Sequence, residues 1–142
     1  KQDRAVARAI ELAPEFVEET KGLPLVGSVA AGPTTLAWEQ SERVDFGDMF
    51  TRKNVFVLQV RGESMIDAQI ADGDYVVVKK QKTAQPGQMV VAQTDEDEAT
   101  LKYWHTENGQ IRLQPANSTM EPIYVQNATV LGVVIGVVRN MN

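Results

Sequence analysis

The sequence predicts a mainly β protein of several antiparallel sheets, with a short helical segment near its N-terminus. Three observations support this fold class. Runs of β-branched and aromatic residues recur from residue 55 to residue 138, and such residues suit the pleated surface of a strand. Turn sequences rich in Gly, Asp and Asn separate these runs,. An amphipathic helical period is evident at residues 3–13, before Pro14,.

The composition narrows the function classes. With 142 residues, 43% of them hydrophobic and 23% charged, the chain is expected to form one soluble domain with a real core,. A net charge of -5 argues against a nucleic-acid-binding surface,. There is no cysteine and only one histidine, His105, so neither a disulfide nor a metal site is expected, and no cofactor is predicted. The absence of thiols and of a membrane-spanning apolar run favours a cytoplasmic protein.

The first 33 residues contain two stretches of different composition. Residues 15–20 are acidic and aperiodic, so residues 1–22 are expected to form a linker rather than core. Residues 23–33 are apolar, small and interrupted by Gly and Pro, which predicts an extended and accessible segment,. One interpretation is a plain hairpin arm. The other is a protease substrate, with Val29 as an anchor and a sterically open bond between Ala31 and Gly32, because proteases bind extended segments as added strands.

Residues 54–78 form the stretch most suggestive of chemistry. Two predicted strands, at 55–60 and 75–78, flank a polar segment, and residues 65–70 suggest a helical turn,. Gly62 permits a sharp turn with positive φ, which would place Ser64 at the end of a rigid strand with free N–H groups nearby. That geometry suits a nucleophile, although serine is also common in ordinary turns. Asp72 is interpreted as a residue that stabilises a turn.

The remaining strands are expected at residues 88–93, 99–104, 110–113, 123–125 and 129–138. Residues 38–54 suggest a connecting loop with at most a short strand at 43–46, residues 95–98 an acidic hairpin tip, and Asn108-Gly109 a tight hairpin turn,. The final strand is apolar on both faces. It is therefore expected inside a sheet or between two subunits, which suggests a homodimer.

Lys102 is unusual because it occupies the middle of a predicted strand. Alternation places it on the same face as Thr100 and Trp104,. An exposed lysine is the ordinary interpretation. A buried, neutral lysine could instead act as the base for a serine, provided that its reference pKa of about 10.4 falls by several units. No Ser-His-Asp arrangement can be picked out around His105.

Several motifs together resemble the LexA repressor family from about residue 23 to residue 140. In chain order they are Val29-Ala30-Ala31-Gly32, Gly62-Glu63-Ser64-Met65, Asp72-Gly73-Asp74, Leu101-Lys102, residues 113–118 and residues 136–140. The resemblance implies a LexA/signal-peptidase-like β fold in a latent protease and dimerisation domain at residues 23–142. It also implies that residues 1–22 are a linker from a helix-turn-helix domain that binds operator DNA and is absent from this chain.

The resemblance further implies a mechanism. Ser64 would be the nucleophile and Lys102 the general base, and they would cut the chain's own Ala31–Gly32 bond, with Val29 and Ala30 as anchors. A RecA–single-stranded DNA filament would stimulate the cut and so inactivate the repressor in the SOS response. Two alternatives stay open: a UmuD-like self-processing protein of translesion synthesis, and a non-catalytic β dimerisation module.

Overall fold

The computed structural model describes residues 22–26, 42–95 and 97–142, and the chain divides into two units, Lys1–Thr51 and Arg52–Asn142. In the first unit, strands β1 (Leu23–Pro24) and β2 (Arg43–Val44) pair antiparallel. A single helical turn, α1 (Phe46–Met49), follows. The predicted helix at residues 3–13 lies outside the described residues.

Helix α1 corrects the expectation that a short strand extends to Phe46. The strand ends at Val44, and Asp45 caps the helix because its side chain accepts hydrogen bonds from the N–H groups of Gly47 and Asp48. Such a cap satisfies N–H groups that would otherwise lack partners at the helix start. The residues of this helix also fall within the loop predicted at 38–54.

The second unit is built on a seven-stranded antiparallel sheet, which confirms the predicted fold class. Its strands lie side by side in the order β3-β4-β9-β5-β6-β7-β8. Their bounds are β3 Val55–Gln59, β4 Tyr75–Lys80, β5 Met89–Thr94, β6 Ala99–Glu107, β7 Gln110–Gln114, β8 Ile123–Val125 and β9 Ala128–Val138. Each strand of this sheet falls within about three residues of its predicted position. Asn108 and Gly109 both have positive φ, as a tight hairpin turn requires,.

Strand β9 is the interior strand that its apolar sequence predicted. It pairs with β4 on one side and with β5 on the other. Gly132 is required where β9 crosses β4, because a Cβ atom there would lie 2.5 Å from a methyl group of Val78 and 2.6 Å from the carbonyl oxygen of Lys79. Strands β9 and β4 can pair this closely at position 132 only because glycine has no side chain.

Buried side chains form two clusters in the second unit. The first comprises Met65, Ile70, Val76, Val78 and Val91. The second comprises Val90, Ala92, Leu113 and Val130. Strand β5 contributes to both because its successive side chains point to opposite faces. None of the helices in the described ranges is long and apolar enough to cross a membrane.

Candidate active site

Ser64 lies on the loop that connects β3 to β4, which we call the Ser64 loop (residues 60–74). The loop is closed at its base, because Val60 and the turn before β4 exchange backbone hydrogen bonds: Val60 N–H donates to the carbonyl of Asp74 and Gly73 N–H donates to the carbonyl of Val60. Gly62 has φ +89°, and a Cβ atom there would meet nothing within 4 Å. Its role is therefore conformational, as the sequence predicted.

Lys102 reaches the same point from β6. Its Nζ lies 3.3 Å from Ser64 Oγ and 2.6 Å from Thr100 Oγ1. Ser64 Oγ also lies 3.5 Å from the carbonyl oxygen of Leu101, a distance at the weak limit of a hydrogen bond. The 38 residues that separate Ser64 and Lys102 in sequence are thus bridged by the sheet.

The Lys102 side chain is buried, with only 6% of its surface exposed. The register places it opposite Val90, which is itself fully buried. Burial lowers the pKa of the Lys102 amine because it removes water from the charged form,. No ion pair between Lys102 and a carboxylate is present in the described residues to offset that cost. The arrangement therefore makes loss of a proton from the Lys102 ammonium easier than it is in water,.

Backbone donors are available next to Ser64. The N–H of Gly62 donates to Asp72 Oδ1 at 2.6 Å, and the N–H of Ile66 donates to the carbonyl of Glu63. Within the described part of the chain, no hydrogen bond uses the N–H groups of Ser64 or Met65. Free donors beside a nucleophile can stabilise an oxyanion. Asp72 lies in the turn before β4, as predicted, but its carboxylate accepts a hydrogen bond from Gly62 at the other end of the loop instead of from a neighbour in its own turn.

A cleft of about 350 Å³ opens around Ser64 and Lys102. Much of its lining is apolar and comes from Leu58, Val60, Val76, Val91 and Met120. Polar and charged side chains complete the lining: Gln59, Arg61, Glu63, Ser64, Thr100 and Lys102. The cleft therefore offers both apolar surface and polar groups to a bound peptide segment. Among the described residues, no cluster of three or more His, Asp or Glu side chains forms a metal site.

The connection between β7 and β8 braces the Ser64 loop from one side. Asn117 Nδ2 donates to the carbonyl of Glu63 at 2.8 Å, immediately before the serine. Asp67 is held at both ends: its N–H donates to the carbonyl of Ala116, and its carboxylate accepts from the N–H of Ser118. These supporting residues fall within the motif at 113–118 that carried the resemblance, but sequence spacing alone gave them no role.

Asp74 and Arg139 brace the loop from the other side. The Asp74 carboxylate is 2% exposed and accepts hydrogen bonds from Arg139 Nε, from an Arg139 terminal nitrogen and from the N–H of Ala71, each at 2.8 Å. The hydrogen bonds from Arg139 and from Ala71 lower the pKa of Asp74 to about 2. Neither this pair nor Thr100 had a predicted role. A buried Asp beside an Arg 65 residues away leaves no local signal.

The predicted site residues divide into two groups. Ser64 and Lys102 lie together, in a cleft, within reach of a proton transfer. The predicted substrate residues Val29, Ala30, Ala31 and Gly32 lie outside the described residues, so that part of the site stays a prediction.

Comparison with known proteins identifies the family. Residues 24–135 match the Peptidase S24-like family. The chain is 44% identical to the LexA repressor of Bacillus subtilis, with all of this chain and 73% of the relative covered. It is 46% identical to the LexA repressor of Enterococcus faecalis, over 98% of this chain and 70% of the relative. On these matches the chain belongs to the LexA repressors of the SOS DNA-damage response, a Peptidase S24-like family of self-cleaving serine peptidases.

Proposed function

We propose that this chain cuts its own Ala31–Gly32 bond with a Ser64–Lys102 dyad and thereby inactivates the repressor. The observation that carries the proposal is the 3.3 Å approach of Lys102 Nζ to Ser64 Oγ in a cleft that lowers the pKa of the lysine. A serine is a weak nucleophile unless a base removes its proton. In this site the neutral amine of Lys102 is that base.

The reaction proceeds in two steps. In the first, the proton of the Ser64 hydroxyl passes to Lys102 Nζ while Oγ attacks the carbonyl carbon of Ala31. The oxyanion is stabilised by the free N–H groups of Ser64 and Met65. The Lys102 ammonium then protonates the departing nitrogen of Gly32, and the C–N bond breaks. In the second step, a water molecule gives a proton to the regenerated Lys102 amine and attacks the carbonyl carbon of the Ser64 ester. The ester C–O bond breaks, the Lys102 ammonium returns the proton to Ser64 Oγ, and Ala31 leaves as a free carboxylate.

The cleft also fits the proposed substrate segment. Val29, Ala30 and Ala31 are small and apolar, and they match the apolar walls formed in part by Leu58 and Met120,. We propose that Val29 fills an apolar part of the cleft and that Ala30 allows close backbone approach. A RecA–single-stranded DNA filament would act as a ligand for the state in which this segment is docked, and it need not supply a catalytic group.

An apolar surface on the sheet supports the proposed homodimer. The register places Tyr75 beside Val138, and Val57 lies on the same face of the neighbouring strand,. All three are exposed, on the face opposite the buried Val76. A second copy of the chain would cover this patch. Replacing Val57 with Asp should shift the sedimentation profile from dimer to monomer; an unchanged profile would exclude this face.

The remaining partners follow from the family. We propose that operator DNA is bound by a domain outside this chain, because a net charge of -5 does not favour binding to DNA phosphates,. Both operator DNA and the filament place the protein in the cytoplasm. A UmuD-like role is not favoured, since the relatives reported above are LexA repressors.

The direct test is incubation at alkaline pH followed by intact-mass analysis. High pH deprotonates Lys102 and should produce two fragments separated between Ala31 and Gly32, without a filament. Ser64→Ala should abolish both fragments. Ser118→Ala removes an exposed hydroxyl outside the cleft lining but keeps the backbone N–H that donates to Asp67, so this variant should cut at the normal rate. An intact wild-type chain, even with a RecA filament added, would support the non-catalytic dimerisation module instead.

A further inference from the structure

Arg139 lies outside the proposed dyad, yet its side chain binds two positions of the Ser64 loop. It directly follows β9, and its side chain is 43% exposed, yet it donates two hydrogen bonds to the buried carboxylate of Asp74. A terminal nitrogen of the guanidinium also donates to the carbonyl of Gln69 at 2.9 Å. One planar group thus joins two positions of the loop, and its rigid fork binds the Asp74 carboxylate through two nitrogens at once, which an ammonium with its single nitrogen cannot do,.

Gln69 and Asp74 both belong to the hydrogen-bonded backbone of the loop that carries Ser64. Gln69 ends the 3-10 helix Ile66–Ala68, adopts φ +67°, and returns its own N–H to the carbonyl of Ile66. Met65 caps the start of that helix, immediately after the serine. Asp74 closes the other end of the loop, because its carbonyl accepts the N–H of Val60 at 2.7 Å. Arg139 therefore holds the end of the helix against the base of the loop.

We propose that Arg139 is a positioning residue for self-cleavage: by joining Asp74 to Gln69 it holds the Ser64 loop in the shape that presents the serine to Lys102. The proposal rests on the dyad proposed above for its effect on rate, but not for its effect on the loop. Arg139 is not in the lining of the cleft and lies outside the reacting atoms. It acts through the backbone of residues 60–74.

The test compares Arg139→Ala with wild type at alkaline pH. Losing an anchor that sets the position of a nucleophile should slow cleavage by about 10- to 100-fold. The pH at the midpoint of the rate profile should not move, because Lys102 and its surroundings are unchanged. Arg139→Lys restores the charge without the fork and should be intermediate. Arg112→Ala is the matched control: Arg112 also pairs with a carboxylate, that of Glu107, but among the described residues it makes no hydrogen bond to the Ser64 loop.

A second measurement does not depend on catalysis. Amide hydrogen exchange in residues 62–73 should accelerate by about tenfold in Arg139→Ala while β5 and β6 keep wild-type protection, since only the local opening is affected. Cleavage within twofold of wild type, or unchanged exchange in the loop, would overturn the proposal. If the wild type does not cleave at all, the dyad fails, and the exchange result alone decides whether Arg139 holds the loop.

Discussion

Asp74 and Lys102 are both buried in the second unit, but their surroundings stabilise the charged form of Asp74 and disfavour that of Lys102. Asp74 is 2% exposed and is surrounded by donors, so its pKa falls to about 2 and its charge is kept. Lys102 is 6% exposed and is paired with hydroxyl groups rather than with a carboxylate, so its pKa falls and its charge is disfavoured. Burial opposes ionisation in both, but only Asp74 has counter-charge and several donors.

The difference distinguishes a charged group that stabilises the fold, Asp74, from an amine that is proposed to react, Lys102. Fully satisfied buried charges fix a conformation, because every alternative leaves a group without its partner. A buried amine without a counter-ion is costly to keep charged, and that cost favours the neutral form, which can accept a proton. In the proposed mechanism, the loop that presents Ser64 is therefore anchored by the Asp74 carboxylate, and the reaction depends on the Lys102 amine, which lacks a counter-charge.

The largest effect should come from Lys102→Met, which keeps the length of the side chain and removes the amine. Cleavage at alkaline pH should fall by about 10²- to 10⁴-fold, because the proposed general base is lost. The free energy of unfolding at pH 7 should be unchanged or higher, since an apolar side chain suits this site better. Intact-mass kinetics and urea unfolding measure the two quantities. The matched control is Lys80→Met, which replaces an exposed lysine of β4; a similar loss of cleavage there would contradict the assignment.

Local patterns made the frame of the site predictable. The alternation of apolar residues and the turn at Gly62 located β3, β4 and the Ser64 loop, and alternation placed Lys102 beside Thr100. Those signals are carried by neighbours in sequence. The approach of Lys102 to Ser64 was expected only if the sheet closed the gap between them, and the resemblance to a family supplied that expectation.

Long-range contacts were not predictable in this way. In the sequence, Asp74 looks like any aspartate in a turn. Its partner Arg139 follows β9, and only the folded sheet brings the two side chains together. Gly132 resembles a weak point in a strand until β4 is placed against it,. Helix α1 was missed because a single capped turn of four residues is too short to show a period,.

The second-largest effect is expected on stability. Lys102→Met should leave the free energy of unfolding unchanged or higher, whereas substitution of Asp74 should lower it. Asp74→Ala removes the carboxylate that holds Arg139 and the N–H of Ala71, so its urea midpoint at pH 7 should fall clearly below that of wild type. Asp74→Asn keeps one acceptor oxygen and should fall by less. If both variants matched wild type, Asp74 would be no more architectural than Lys102, and the contrast would fail.

The pH dependence of stability should also differ in sign and window. Asp74 has a lowered folded-state pKa, so its contribution is present above its unfolded value of 3.8 and is lost as the pH falls toward 2,. Lys102 also has a lowered folded-state pKa, but for a lysine the unfolded state then binds more protons. Stability should therefore rise with pH from the lowered value up to about 10.4.

Urea unfolding of matched pairs measures these windows. The difference between wild type and Asp74→Asn should shrink between pH 5 and pH 2, the window set by the lowered carboxyl pKa,. The difference between wild type and Lys102→Met should change in favour of wild type as the pH rises from 7 to about 10. A constant difference in the alkaline series would mean that the pKa of Lys102 is not lowered.

The smallest effect is expected from Thr100→Val, which removes a hydroxyl group at nearly constant volume. Thr100 Oγ1 lies 2.6 Å from Lys102 Nζ, so it helps to fix the amine, and its loss should slow cleavage by less than about tenfold. The exposed Thr106 of the same strand offers the control variant Thr106→Val. Because the hydroxyl accepts a hydrogen bond from the ammonium form, its removal should also move the midpoint of the rate profile to lower pH. A midpoint that moves to higher pH would show that Thr100 donates to the neutral amine instead, and the hydroxyl would then be part of what makes Lys102 a base.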